Sequence, residues 1–249
     1  MRTRARPPWW ASLQVQLVAV ACLLLVTLVA AAVWLSDQLV GSELLAEAES
    51  GARARATATA AGLNRQLTDA ARISEPLIVA FESGPRSVDS LASLGQGLLE
   101  RAYQRSNGLV VGLGLWPAPG ALTPGREREG FHWVADASGV ERRGDFNQPD
   151  RIPYQNELWY TLAGYAQPGQ CAWTGQRKDL ILQRAVVTCV QPLRRGDETI
   201  GAVTVDYAVA QLAETLQSAL AVTHGYALLV DASGRLLAST NAVATLSSG

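Results

Sequence analysis

Histidine occurs only twice in this 249-residue chain, and cysteine three times. His132 and His224 stand alone in strand-like text, where a histidine reads as packing or surface. No HExxH, nucleophile elbow or phosphate-cradling glycine loop accompanies them. Enzymes built on those constellations are excluded, so no catalytic residue, metal or cofactor is expected. CxxC spacing is missing too, which removes a zinc ribbon or finger. Charge is absent from one long stretch: after Arg2, Arg4 and Arg6 no charged residue appears until Asp37.

That stretch defines the topology. Residues 13–35 are almost wholly Leu, Val and Ala, and 23 residues at about 1.5 Å each cover the roughly 30 Å hydrocarbon core of a bilayer. Trp9, Trp10 and Trp34 stand where indole rings favour the headgroups. A cleaved signal peptide is the rival, with Ala30–Ala32 as small residues, but its apolar core is usually about 7–15 residues long. The leading arginines place the N-terminus (1–12) in the cytoplasm of an inner-membrane protein and residues after 37 in the periplasm. Without those three arginines the basic residues number 18 against 22 acidic, a net −4 for the outer part. Nucleic acid, which calls for a basic patch, is excluded as a partner. Cys22 falls inside the span. Cys171 and Cys189 lie outside it, symmetric about Leu180 in a candidate hairpin, and either a disulfide or two buried thiols fits them.

The outer part begins with an Ala-rich helix from Gln38 to about Ile73, apolar at Leu45, Ala48, Ala52, Ala56, Leu63, Leu67 and Ala70, with Pro76 as a kink or stop. That face suits either a homodimer or a solvated spacer. A second helix from about Ser87 carries Val88, Leu91, Leu94, Leu98 and Ala102 and ends at Asn107-Gly108. Short strands follow: 108–116, 131–135, 140–143, 171–174, 180–193 and 199–205. A short helix near Glu157–Leu162 interrupts them, and another starts near Ala208. The sequence GFHWVADASG, Gly130 to Gly139, returns as GYALLVDASG, Gly225 to Gly234. Such self-similarity implies two related modules, over 106–207 and from 208 to 249, the second only begun. The fold class is α+β: an N-terminal transmembrane helix, a long helix and an antiparallel PAS-like sheet.

Glu157-Leu-Trp159-Tyr160, Trp173, Asp179, the strand text ending Gly201-Ala-Val-Thr-Val-Asp206, and the second DASG segment together resemble the double Cache sensor region of bacterial transmembrane receptors. The resemblance implies a membrane-distal and then a membrane-proximal PAS-like module. It also implies that Trp159, Tyr160 and Asp206 contact the amino group of a ligand. Where the amino-acid-binding version carries an arginine this chain has Glu157, and Arg151 and Arg177 are out of register to replace it. The residues read the same way by themselves. Aromatic walls from Trp159, Tyr160 and Trp173, with the carboxylates of Asp179 and Asp206, suit a small organic cation such as an amine, an amino acid or another small metabolite. The competing arrangement makes the aromatics core and Asp206 the cap of the helix near Ala208.

Two functions fit these features. One is the sensory part of an inner-membrane receptor, with a diguanylate cyclase favoured as output over a histidine kinase or a chemoreceptor coil. The other is a membrane-anchored binding or scaffold protein without an output.

Overall fold

The computed structural model describes residues 13–84, 87–179, 181–220, 226–231 and 233–240. The N-terminal arginines, Trp9, Trp10, Leu180, His224, Gly225 and residues 241–249 lie outside them. The chain divides into two units, Met1–Ala56 and Thr57–Gly249. In the first, the described residues are helical, and Val15–Ser36 (22 residues, mean hydropathy 2.8) is long and apolar enough to cross a membrane. Its large side chains, from Leu17 to Trp34, are exposed.

Helix α1 (Leu13–Glu82) runs without a stop at Pro76. The proline withholds one N–H from the ladder, which costs about 3 kcal/mol in a helix interior. Leu77, Ala80 and Phe81 beyond it are buried in the core, and this burial carries the helix onward. The same packing revises the expected pairing face. Leu63, Leu67 and Ala70 are buried in this molecule's own core, while Ala48, Ala52 and Ala56 are exposed.

Helix α2 (Val88–Arg105) is capped by Ser87, whose hydroxyl accepts from the Ser90 N–H at 3.1 Å. It ends where Asn107 and Gly108 both take positive φ, +52° and +77°. Its buried stripe is Leu91, Gly95, Leu99 and Ala102. Leu91 and Ala102 are as expected, while Gly95 and Leu99 lie one residue, or about 100°, from the expected Leu94 and Leu98, which are partly buried beside them. Gly95 faces Trp133 so closely that a Cβ there would run into the indole.

Seven strands form one antiparallel sheet: β1 (Val110–Pro117), β2 (Phe131–Asp136), β3 (Gly139–Arg143), β4 (Ala172–Trp173), β5 (Arg177–Lys178), β6 (Ala185–Arg195) and β7 (Glu198–Ala208). Their order is β3-β2-β1-β7-β6-β4, with β5 also on β6. The long β6–β7 hairpin turns at Gly196-Asp197, where Gly196 takes φ +63°. Alternation splits the sheet into two faces. Leu113, Leu115, Trp133, Val187, Val203, Val205 and Tyr207 join the helices in the main core. On this side Ser74 of α1 donates to the Gln191 side chain. The other face carries Gly112, Gly114, Trp116, His132, Thr188, Thr204 and Asp206, and is covered by the chain between β3 and β6. That covering segment holds α3 (Leu158–Thr161).

Cys171 and Cys189 form a disulfide with Cα atoms 5.0 Å apart. The pairs Ala172↔Val190 and Trp173↔Cys189 centre this hairpin one residue beyond Leu180. After β7, helix α4 (Val209–Ala219) leads to a two-stranded sheet of β8 (Leu228–Val230) and β9 (Leu236–Ser239). The repeated DASG text makes the same Asp-to-Ser hydrogen bonds twice. Asp136 Oδ1 accepts from the N–H and hydroxyl of Ser138 at 2.8 and 2.5 Å, and Asp231 Oδ1 from those of Ser233 at 2.9 and 2.6 Å.

Gly95→Ala should destabilise the protein by about 1–3 kcal/mol, the usual cost of overpacking a filled core. Thermal melts measure it, and a wild-type melting temperature would contradict the close fit against Trp133.

Candidate ligand-binding site

Register builds the site. Gly112, Asp206 and Thr188 lie in one cross-strand row, and His132, Gly114, Thr204 and Val190 in the next. β1 separates β2 from β7, yet His132 Nε2 comes within 3.5 Å of Asp206 Oδ2. Only a bare β1 permits that reach: a Cβ at Gly112 would meet the Asp206 carboxylate, and one at Gly114 the Trp116 indole and Thr204. The Trp116 Nε1–H donates to Thr204 Oγ1 at 2.9 Å, which lays the ring over Gly114.

Asp206 is 1% exposed and has three partners. Thr188 Oγ1 donates to its Oδ1 at 2.6 Å, Arg177 Nη2 donates to the same oxygen at 3.3 Å, and His132 faces Oδ2. Burial pushes the Asp206 carboxyl up. The hydrogen bond from His132, the Arg177 guanidinium, the charge on His132 and the Thr188 hydroxyl outweigh it and hold the group below its ordinary 3.8. Arg177 Nη1 also donates to Asp179 Oδ2 at 3.2 Å. Asp179, equally buried, accepts at Oδ1 from the N–H groups of Ile181 (2.9 Å) and Leu182 (2.8 Å).

Aromatic rings close the space. Trp116 lies 4.8 Å from Trp159, 5.0 Å from Phe146 and 5.3 Å from Tyr154, centroid to centroid. Burial raises the Tyr154 hydroxyl to about 12, and it donates to the Pro117 carbonyl at 2.7 Å. Trp116, His132, Phe146, Trp159, Arg177, Asp179, Thr204 and Asp206 come together with no room for a water molecule between them. Ligand atoms of His132, Asp179 and Asp206 lie within 4.8 Å of one another, a donor set with metal-binding chemistry. Arg177 bridges the two carboxylates, however, and supplies the positive charge that a metal would bring.

Of the residues expected from sequence, Trp159, Asp179 and Asp206 meet here. Tyr160 stands one ring behind, 6.1 Å from Trp159 and 5.7 Å from Tyr154. Trp173 belongs to the other face: its partner is Cys189, and its ring meets Tyr207 at 5.6 Å. Asp206 does not cap α4, whose N-cap is Ala208 without a side-chain bond. Sequence reading missed Trp116, Phe146, His132 and Arg177 as a group. The Gly-x-Gly-x-Trp of β1 was the available signal, since two glycines inside an apolar strand mark a close approach.

No family model and no curated protein matches the chain. Solved structures do. Methyl-accepting Chemotaxis protein X is 18% identical with a TM-score of 0.56 over 68% of this chain and 65% of its own. The ligand-binding domain of the Campylobacter jejuni chemoreceptor Tlp3, in complex with 4-methylisoleucine, is 16% identical with a TM-score of 0.52 over 81% and 72%. The extracellular domain of the histidine kinase soHK1S-Z6 is 17% identical with a TM-score of 0.51 over 78% and 76%. The fold is thus shared with the ligand-binding domain of that chemoreceptor and the extracellular domain of that histidine kinase. The chain spans 65% of the length of the first of these structures.

Because Asp206 is held below its ordinary value, its contribution to stability is complete above about pH 4 and is lost as pH falls through the folded-state value. Melting temperature followed from pH 6 down to pH 2 should therefore fall less steeply for Asp206→Asn than for wild type. Parallel curves would show that Asp206 is not stabilised as the ion.

Proposed function

We propose that this chain is the ligand-sensing part of a membrane-anchored receptor and binds a small solute through a cationic amino group at Asp206. One observation carries the reading: the carboxylates of Asp179 and Asp206, both at 1% exposure, gather the Arg177 guanidinium and His132 beside the rings of Trp116, Phe146 and Trp159. Buried carboxylates against aromatic faces favour a cation. An amino acid or a simple amine meets that requirement, and a similar Tlp3 domain is in complex with 4-methylisoleucine.

The segment Val15–Ser36 is the anchor, with the N-terminus cytoplasmic and residues after about 37 periplasmic, an orientation that rests on the leading arginines. Homodimer pairing, if driven by the Ala-rich helix, falls to Ala48, Ala52 and Ala56, because the later positions are buried within the chain. The diguanylate cyclase output expected from the sequence finds no support in the similar structures, which are chemoreceptor and histidine-kinase sensors. Ligand arrival has to rearrange the covering segment, since the space admits no solute as it stands. A solute that binds the rearranged state better shifts the population toward it.

The test is a thermal-shift screen of amines and amino acids against the full chain in detergent. A true ligand should raise the melting temperature of wild type, and Asp206→Ala should abolish the rise. A solute stabilising both proteins equally would remove Asp206 from the site.

A further inference from the structure

The charged groups of this site are held with unequal firmness. Asp206 stands on β7 in the middle of the sheet, and Asp179 is pinned by two backbone N–H groups. Arg177 stands on the two-residue edge strand β5, which pairs with β6 through Arg177↔Val186 and Lys178↔Ala185 and is followed by one backbone bond from Asp179 N–H to the Arg184 carbonyl. Its side chain is 28% exposed, against 1% for either carboxylate. Its three contacts are long: 3.2 Å to Asp179, 3.3 Å to Asp206 and 3.3 Å to Thr188. Charge-assisted N–H···O bonds usually run about 2.7–2.9 Å. The anions are fixed, and the cation between them sits loosely at the sheet's edge.

We propose that Arg177 is a tethered occupant of the site: its guanidinium holds the place of a ligand's cationic group, and the ligand binds by displacing it. The inference rests on the reading of this face as a solute site. Arg177 does not leave alone, because its departure leaves two buried carboxylates with only His132, 3.5 Å from Asp206 Oδ2, to face them. Its departure is therefore coupled to the arrival of another positive charge. The ligand class follows from the geometry. A planar guanidinium can span Asp179 and Asp206 as Arg177 does, and a primary ammonium can meet them as a point charge. Neutral solutes have nothing to exchange. Each molecule with Arg177 seated is closed to ligand, so apparent affinity falls with the fraction of sites left open.

Methylguanidinium is the probe, with urea as a neutral planar control, on the full chain in detergent. Arg177→Ala should melt below wild type, and methylguanidinium should restore its melting temperature saturably while urea does not. The apparent Kd of the variant should be about tenfold below that of wild type, where the tethered group competes. Adding Asp206→Asn to the variant should abolish the rescue. Should Arg177→Ala fail to fold, Arg177→Gln supports the same comparison. Equal apparent affinities in wild type and variant, or a folded variant without saturable rescue, overturn the proposal. Rescue of the variant while no amine or amino acid stabilises wild type keeps the tethered occupant and removes the receptor reading.

Discussion

A carboxylate in the middle of a sheet stays ionised only when charge and hydrogen bonds are brought to it. Asp206 sets that requirement, and much of the ligand-side architecture answers it. Thr188 comes from the neighbouring strand at 2.6 Å. His132 comes from two strands away across a β1 stripped of side chains at Gly112 and Gly114. Arg177 comes from β5, the edge strand on the other side of β6. Trp116 can lie flat over the sheet for the same reason that His132 can cross it.

The covering segment is fastened at both ends rather than merely laid on. Near its start the Asn147 amide both donates to and accepts from the Gly130 backbone, each at 2.7 Å, while Arg128 donates to the carbonyls of Gln148 and Arg151. Near its end the Cys171–Cys189 disulfide ties it to β6. Between these fastenings lie Trp159, Tyr160 and Ala163, packed on Trp116, Val190 and Ala202 in a small cluster of their own. The sheet therefore carries two apolar layers of unequal size, a main core under the helices and a thin one under the covering segment.

Local chemistry was legible in the sequence. The charge-free run, the helix start near Ser87, the Asn107-Gly108 break and both Asp-Ala-Ser-Gly turns act within a few residues, and each was readable as text. The site was legible only in part, because its partners meet through long-range register. Gly112 pairs with Asp206 some ninety positions later, and no local pattern announces that. Parity explains the misplacement of Trp173: its partner Cys189 points to the helices, whereas Thr188, one residue away, points to Asp206. Propensity explains Pro76, which reads as a breaker until Leu77 and Phe81 are seen to be buried. Arg177 looked out of register because its line of approach is set by β5, a strand too short to see in sequence.

Strand β6 serves both faces within a very short span. Thr188 donates to Asp206 on one side, and Gln191, three residues on, accepts from Ser74 of α1 on the other. Three strand residues are about 10 Å, with no loop or hinge among them. A stiff ribbon of that kind has little slack between its two contacts. Helix α1 at Ser74 and the Asp206 carboxylate thus share one short link, and Gln191 is its far end.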